Sequence, residues 1–148
     1  MPGFSLHERI ERPPEEVFDL LADMARAPEW LPEIVRVEPV SDSPLAPGSR
    51  VRETRRVMGR EATAELEIVA AERPSHWAVS NTTSGVETIY RYRLIPIEGG
   101  TDIELACTVE GRGVRKLSAS LLATMMKRQD RAHLTKLKHA VEGSAAAL

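Results

Sequence analysis

GVRKLSASLLATMMKRQDRAHLTKLKHAVE, residues 113–142, carries no proline and, after Gly113, no glycine, and it is rich in Leu, Ala, Met, Lys and Arg, all good helix formers. It reads as one long helix. At about 100° per residue, Ala119, Leu122, Met126, His133, Leu137 and Val141 fall on a single stripe, flanked by Leu134 on one side and Leu121 and Met125 on the other. A fully buried Leu or Met contributes roughly 1.5–3 kcal/mol, against a typical total stability of ~5–15 kcal/mol, so the stripe requires a partner surface. Gln129, Asp130 and His133 interrupt it halfway. A polar group there must find a partner, meet water in a cavity, or turn away.

Upstream lies the surface the helix needs. Phe4, Leu6 and Ile10 share a phase of two and predict a first strand that ends at Pro13-Pro14. Pro14 suits a first helical position and Glu15 and Glu16 suit the positive end of a helix, after which Val17, Leu20, Leu21 and Met24 recur at helical spacing. Pro28 and Pro32 bracket Trp30 and confine that segment to a turn or two of irregular helix, which places Trp30 at the edge of whatever the helix and strands enclose. Strands are expected at 34–40, 48–57, 60–71, 76–83, 85–97 and 101–110, punctuated by Met58-Gly59, Ser84-Gly85 and Glu98-Gly99-Gly100. Connections this short force antiparallel pairing, because a parallel neighbour needs a crossover of a dozen residues or so. The expected class is α+β: one curved antiparallel sheet wrapped around the terminal helix, with two short helices after the first strand, in a single domain over 1–148.

Composition narrows the function. The 148 residues are 42% hydrophobic, enough for a core, and a net charge of −2 leaves no basic footprint for nucleic acid. Arg50, Arg52, Arg55, Arg56 and Arg60 are interleaved with Glu53 and Glu61 and read as a solvated strand face. One cysteine, Cys107, excludes an internal disulfide and fits a reducing compartment; with no apolar leader and no run of spanning length, the expected location is cytoplasmic. The four histidines and the single cysteine make no metal-ligand spacing, and Gly111-Arg112-Gly113 lacks the rest of a phosphate-binding loop. No cofactor and no metal are expected.

The chain resembles the START-like, or Bet v 1-like (SRPBCC), helix-grip superfamily, in its bacterial polyketide cyclase/dehydrase and lipid-transport branch. The residues that carry the resemblance are the opening strand into Pro14-Glu15-Glu16-Val17-Phe18-Asp19-Leu20-Leu21, then Trp30-Leu31-Pro32-Glu33-Ile34 and Pro44-Leu45-Ala46-Pro47-Gly48-Ser49, and later Glu72-Arg73-Pro74, Gly99-Gly100-Thr101 and Leu134-Thr135-Lys136-Leu137-Lys138. They are signatures of turns and packing. The resemblance implies a sheet of about seven strands around the C-terminal helix with an apolar cavity between them, and it implies no particular catalytic residue.

Strand phase selects the residues such a cavity would present. Ala62, Ala64, Leu66, Ile68 and Ala70 form the apolar phase of their strand, and the small alanines either leave volume for a ligand or let the helix approach. Trp77 shares a phase with Asn81, Tyr92 with Tyr90, and Glu53 with Arg55. Trp30, Glu53, Arg55, Ala62, Ala64, Trp77, Asn81, Tyr90, Tyr92, Met126 and His133 are therefore the expected ligand-binding set, a few polar groups in an apolar enclosure. The same pattern is open to a Glu–Arg pair at the sheet rim with tyrosine hydroxyls in solvent. Cys107 reads as a buried apolar group, and His133 as a satisfied core or rim residue or, with Asp130 at i and i+3, as half of an acid–base pair.

Three functions follow as expectations. The first is binding, transport or sensing of a hydrophobic or aromatic small molecule, such as a lipid or polyketide, by a monomer or homodimer. The second is a polyketide cyclase, aromatase or dehydratase in which Arg55, Tyr90, Tyr92 and His133 converge. The third is a protein-interaction module, which would show an exposed apolar patch and no enclosed cavity.

Overall fold

Apolar alternation broken by turns produces seven strands, and the computed structural model, which describes residues 3–40, 46–83, 85–111 and 131–143, arranges them in one antiparallel sheet. In chain order the elements are β1 (Gly3–Ile10), α1 (Pro14–Ala22), a 3₁₀ turn (Met24–Arg26), α2 (Ala27–Trp30), β2 (Ile34–Pro39), β3 (Arg50–Val57), β4 (Arg60–Glu72), β5 (His76–Thr83), β6 (Val86–Ile97) and β7 (Gly100–Gly111). The helix α3 covers 131–143. The rest of the expected helix, with Met125, Met126 and Asp130, lies outside the described residues, as do Arg112 and Gly113.

The strand order is β1-β7-β6-β5-β4-β3-β2, so all connections except β1 to β2 are between neighbours. That one exception is where α1 and α2 cross from one sheet edge to the other. Met58 and Gly59 both take positive φ, 52° and 80°, the pair of left-handed residues that a two-residue hairpin needs to match the strand twist. Gly100 is required for a different reason. A Cβ there would stand 2.2 Å from the Ile10 carbonyl oxygen, so only glycine lets β7 begin against the end of β1. Thr101, fully buried, then donates from Oγ1 to the Arg12 carbonyl at 2.7 Å and fixes the same corner.

Registers carry the apolar phase across the sheet. Leu6, Leu105, Tyr92 and Trp77 stand opposite one another in turn, and Cys107, Tyr90, Val79 and Ile68 form the next row. Against these rows α3 packs Leu134, Leu137 and Val141, which are 2%, 0% and 5% exposed, and α1 packs Val17, Phe18, Leu20 and Leu21. The ring of Phe18 meets Trp77 edge-on at 6.0 Å. The far end of α3 is pinned to the start of the chain: the Lys138 ammonium donates to the Arg9 carbonyl and to Glu142, both at 2.7 Å, and Glu142 accepts the Glu11 backbone N–H at 2.8 Å.

One detail corrects the expected phase. The β4–β5 register slips between Ile68 and Ala70, leaving Val69 at 36% exposed. A bulge adds one residue to one strand and reverses its parity beyond that point. Ala71, not Ala70, therefore stands opposite Trp77 and joins the core.

Candidate ligand-binding site

Between α1–α2, the inner face of β3–β6 and α3 lies a cavity of ≈ 530 Å³. Its apolar wall is built from Leu20, Leu21, Leu31, Ile34, Leu66 and Val79. At one end the exposed Val57 and Met58 also line it, and there the cavity reaches the surface.

Eight residues of the expected set line this space: Trp30, Glu53, Arg55, Trp77, Asn81, Tyr90, Tyr92 and His133. Two do not. Ala62 is exposed and Ala64 half-buried, and neither lines the cavity. Their phase is that of the inner face, since they stand opposite Arg55 and Glu53, yet of these four only the longer side chains, Arg55 and Glu53, line the cavity. Leu66, two residues deeper, takes the place they were expected to fill. Met126 lies outside the described residues.

The polar groups are organised as pairs. Tyr92, 6% exposed, shares a 2.9 Å hydrogen bond with His133 Nε2: the hydroxyl donates when the imidazole proton is on Nδ1 and accepts when it is on Nε2. The His133 ring also tilts against Trp30, with centroids 5.1 Å apart. Burial, then the charge of Arg55, lower the His133 pKa from 6.5 to about 4; Glu33 acts in the opposite sense and Lys136 adds to the lowering. The imidazole is therefore neutral at ordinary pH.

Glu53 and Arg55, two apart on β3 and so on one face, make a short charge-assisted hydrogen bond from Arg55 Nε to Glu53 Oε1. Glu53 is buried, and the Arg55 side chain is 42% exposed, so the pair runs from the interior to the rim. Burial opposes the Arg55 charge, but Glu53, Glu33 and Tyr90 outweigh it and hold the guanidinium above its ordinary pKa. Glu33 in turn pairs with Lys136 of α3 at 3.5 Å. Lys136 and Glu33 escaped the sequence reading because their contact joins residues about a hundred positions apart, and nothing local marks it.

Trp30 was expected at the edge of the enclosure. It packs against both buried clusters, one of them the small group of Ala27, Leu31 and Ile34 that seats α2 on β2. It is partly buried and lines the cavity. Among the described residues its buried Nε1 has no hydrogen-bond partner. Cys107 is fully buried opposite Tyr90, as an apolar residue would be. Among the described residues there is no cluster of groups that could hold a metal ion.

A C-terminal helix held in a curved seven-stranded antiparallel sheet, with two short helices after the first strand and a cavity between them, defines a helix-grip protein of the START-like, Bet v 1-like kind. The sequence profile of the polyketide cyclase / dehydrase and lipid transport family matches residues 1–142, and the chain belongs to that family. No curated protein matches it in sequence. Among solved structures it is similar to Ara h 8.0201, at 17% identity and a TM-score of 0.82, with 95% of this chain and 97% of the other covered. It is also similar to a START superfamily protein from Mycobacterium smegmatis, at 14% identity and a TM-score of 0.78, covering 95% and 97%. A third is the Zhui aromatase/cyclase from Streptomyces sp. R1128, at 16% identity and a TM-score of 0.77, covering 95% and 93%. At such identities the likeness carries the fold.

Proposed function

We propose that the protein binds an uncharged, largely apolar small molecule, aromatic or lipid-like, in its internal cavity and carries or senses it without transforming it. The observation that carries this reading is the cavity itself: ≈ 530 Å³ of space lined by apolar side chains together with a set of polar ones, within the size range of small-molecule sites. Its charges also favour a neutral guest. Glu53 is matched by Arg55 and Glu33 by Lys136, so at these groups an ionised ligand would have to displace a partner that already satisfies the charge; Asp23 and Arg56, which also line the cavity, are exposed to screening solvent. The Tyr92–His133 pair and Asn81 remain as groups that can orient a hydroxyl or carbonyl oxygen.

A second reading, an aromatase/cyclase-type enzyme, has the Tyr92–His133 hydrogen bond and the likeness to Zhui aromatase/cyclase in its favour. Acid–base work at neutral pH is most efficient with a pKa near that pH. His133, lowered to about 4, is a weak base there, and Arg55 is engaged with Glu53, which is why binding is preferred.

The test is a displacement titration with a fluorescent apolar probe, alongside native mass spectrometry of the purified protein for a co-purified guest. Val79→Phe and Leu66→Trp put bulk into the cavity from two strands and are expected to abolish probe binding while the protein stays folded by circular dichroism. Undiminished binding in both variants would sink the cavity reading. Wild-type turnover of a polyketide-like substrate that disappears in His133→Gln would transfer the assignment to the enzyme.

A further inference from the structure

The tip of the β3–β4 hairpin is built against its own local preferences. A two-residue turn with both φ values positive favours Asn, Asp or Gly at its first position, because a bulky side chain in the left-handed region is strained. Here that position is Met58, at φ 52° and 98% exposed, and it is preceded by Val57 at 52% exposed. No other large apolar residues among the described ones stand so far into solvent. Both also line the cavity where it reaches the surface, so the tip marks its mouth.

The charges around the tip are not balanced by their neighbours. Arg36 holds Glu38 at 3.1 Å and Glu61 at 3.8 Å, and the carboxylate of Glu33, which lies next to Arg56 through a backbone hydrogen bond, is held by Lys136 at 3.5 Å. Glu61 is the residue directly opposite Arg56 in the register, yet its carboxylate reaches Arg36. Arg56 and Arg60, one on each side of Val57-Met58-Gly59, are both exposed and have no ion-pair partner among the described residues.

We infer that this hairpin tip docks the protein, mouth first, on an anionic lipid surface. An apolar tip between two uncompensated guanidinium groups matches the layered chemistry of a bilayer interface: the methionine enters the acyl boundary while the arginines remain at the phosphates. A protein partner fits less well. Stable protein interfaces bury about 800 Å² on each side, far more than two side chains at a turn present. Docking of this size is weak and reversible, which suits a molecule that must collect or release an apolar guest at the surface and leave again. The inference does not depend on what fills the cavity.

Co-sedimentation of the full chain with vesicles of phosphatidylcholine alone, and of phosphatidylcholine with phosphatidylglycerol, tests it. The wild type is expected to sediment with the anionic vesicles, more weakly at high salt, and hardly at all with the zwitterionic ones. Met58→Ser is expected to weaken anionic-vesicle affinity roughly tenfold to a hundredfold, the scale of one buried methionine side chain. Arg60→Glu is expected to weaken it roughly fivefold or more. Since Arg60 lies outside the cavity wall, Arg60→Glu keeps its probe affinity in solution. Failure of every variant to bind probe, with docking intact, would count against the cavity reading alone. Equal retention of Met58→Ser and wild type on anionic vesicles overturns the docking proposal. So does a wild type that stays in the supernatant, or one that pellets without vesicles through self-association.

Discussion

Acid titration of the wild type against His133→Gln tests whether the histidine is enclosed as the geometry describes. His133 faces Tyr92 and Trp30 as neutral contacts and Arg55, Lys136 and Glu33 as charged ones, and its pKa falls from 6.5 to about 4 on folding. A basic group with a depressed folded pKa takes up its proton first in the unfolded chain. Its contribution to stability is therefore complete above about pH 6.5, is lost as the pH falls from there toward 4, and levels off below the folded pKa. A gap of about two and a half pH units at about 1.4 kcal/mol per unit amounts to about 3 kcal/mol, or roughly 10 °C in melting temperature for a chain of this length. Gln retains a hydrogen-bonding partner for the Tyr92 hydroxyl and does not titrate. Urea unfolding at a series of pH values from 7.5 to 4 should show the wild type losing about 3 kcal/mol more than His133→Gln over that window. Asp19, lowered by its hydrogen bonds to Arg73, and Glu142, lowered by the Glu11 N–H and Lys138 against the opposing effect of burial, also lose stability in acid, but equally in both proteins. A stability difference that does not vary with pH would mean that His133 meets water in both states, and the enclosed site would be wrong.

Other consequences are simpler to measure. Gly100→Ala should destabilise the fold by roughly 2 kcal/mol or more, because the new methyl would overlap the Ile10 carbonyl; an unchanged thermal midpoint would show that the β1–β7 corner can give way. Arg55→Met should cost about 1–3 kcal/mol by leaving the buried Glu53 carboxylate unpaired, and Glu53→Gln added to it should recover much of that loss in a double-mutant cycle; strict additivity would show the two side chains act independently. Leu137→Ala, at a fully buried position on α3, should cost about 2–5 kcal/mol, and a loss below 1 kcal/mol would show the helix is not gripped there.

How far the chain can be read without its structure depends on the range over which each signal acts. Pro14 at the start of α1, Met58-Gly59, Gly85 and Gly99 act within a few residues, and from them the antiparallel order of the sheet follows, because a short turn admits no other pairing. Strand phase acts over the length of one strand, and it places Trp77, Tyr92, Tyr90 and Asn81 on one face. It does not say how deep along that face a residue lies. Which inner-phase side chains reach the cavity is a tertiary matter: Ala62 and Ala64 have the inner phase yet fall outside it, while the longer Arg55 and Glu53 opposite them, and Leu66, line it. Phase itself fails across a bulge: the slip after Ile68 exchanges Ala70 for Ala71, and no residue near Val69 announces it. The site adds a third range. Trp30 against His133 and Glu33 against Lys136 join the α2–β2 segment to α3, and each partner taken alone is an ordinary aromatic or charged residue. Their meeting is set by how the α2–β2 segment packs against α3, so these contacts are the ones a linear reading is least able to pair.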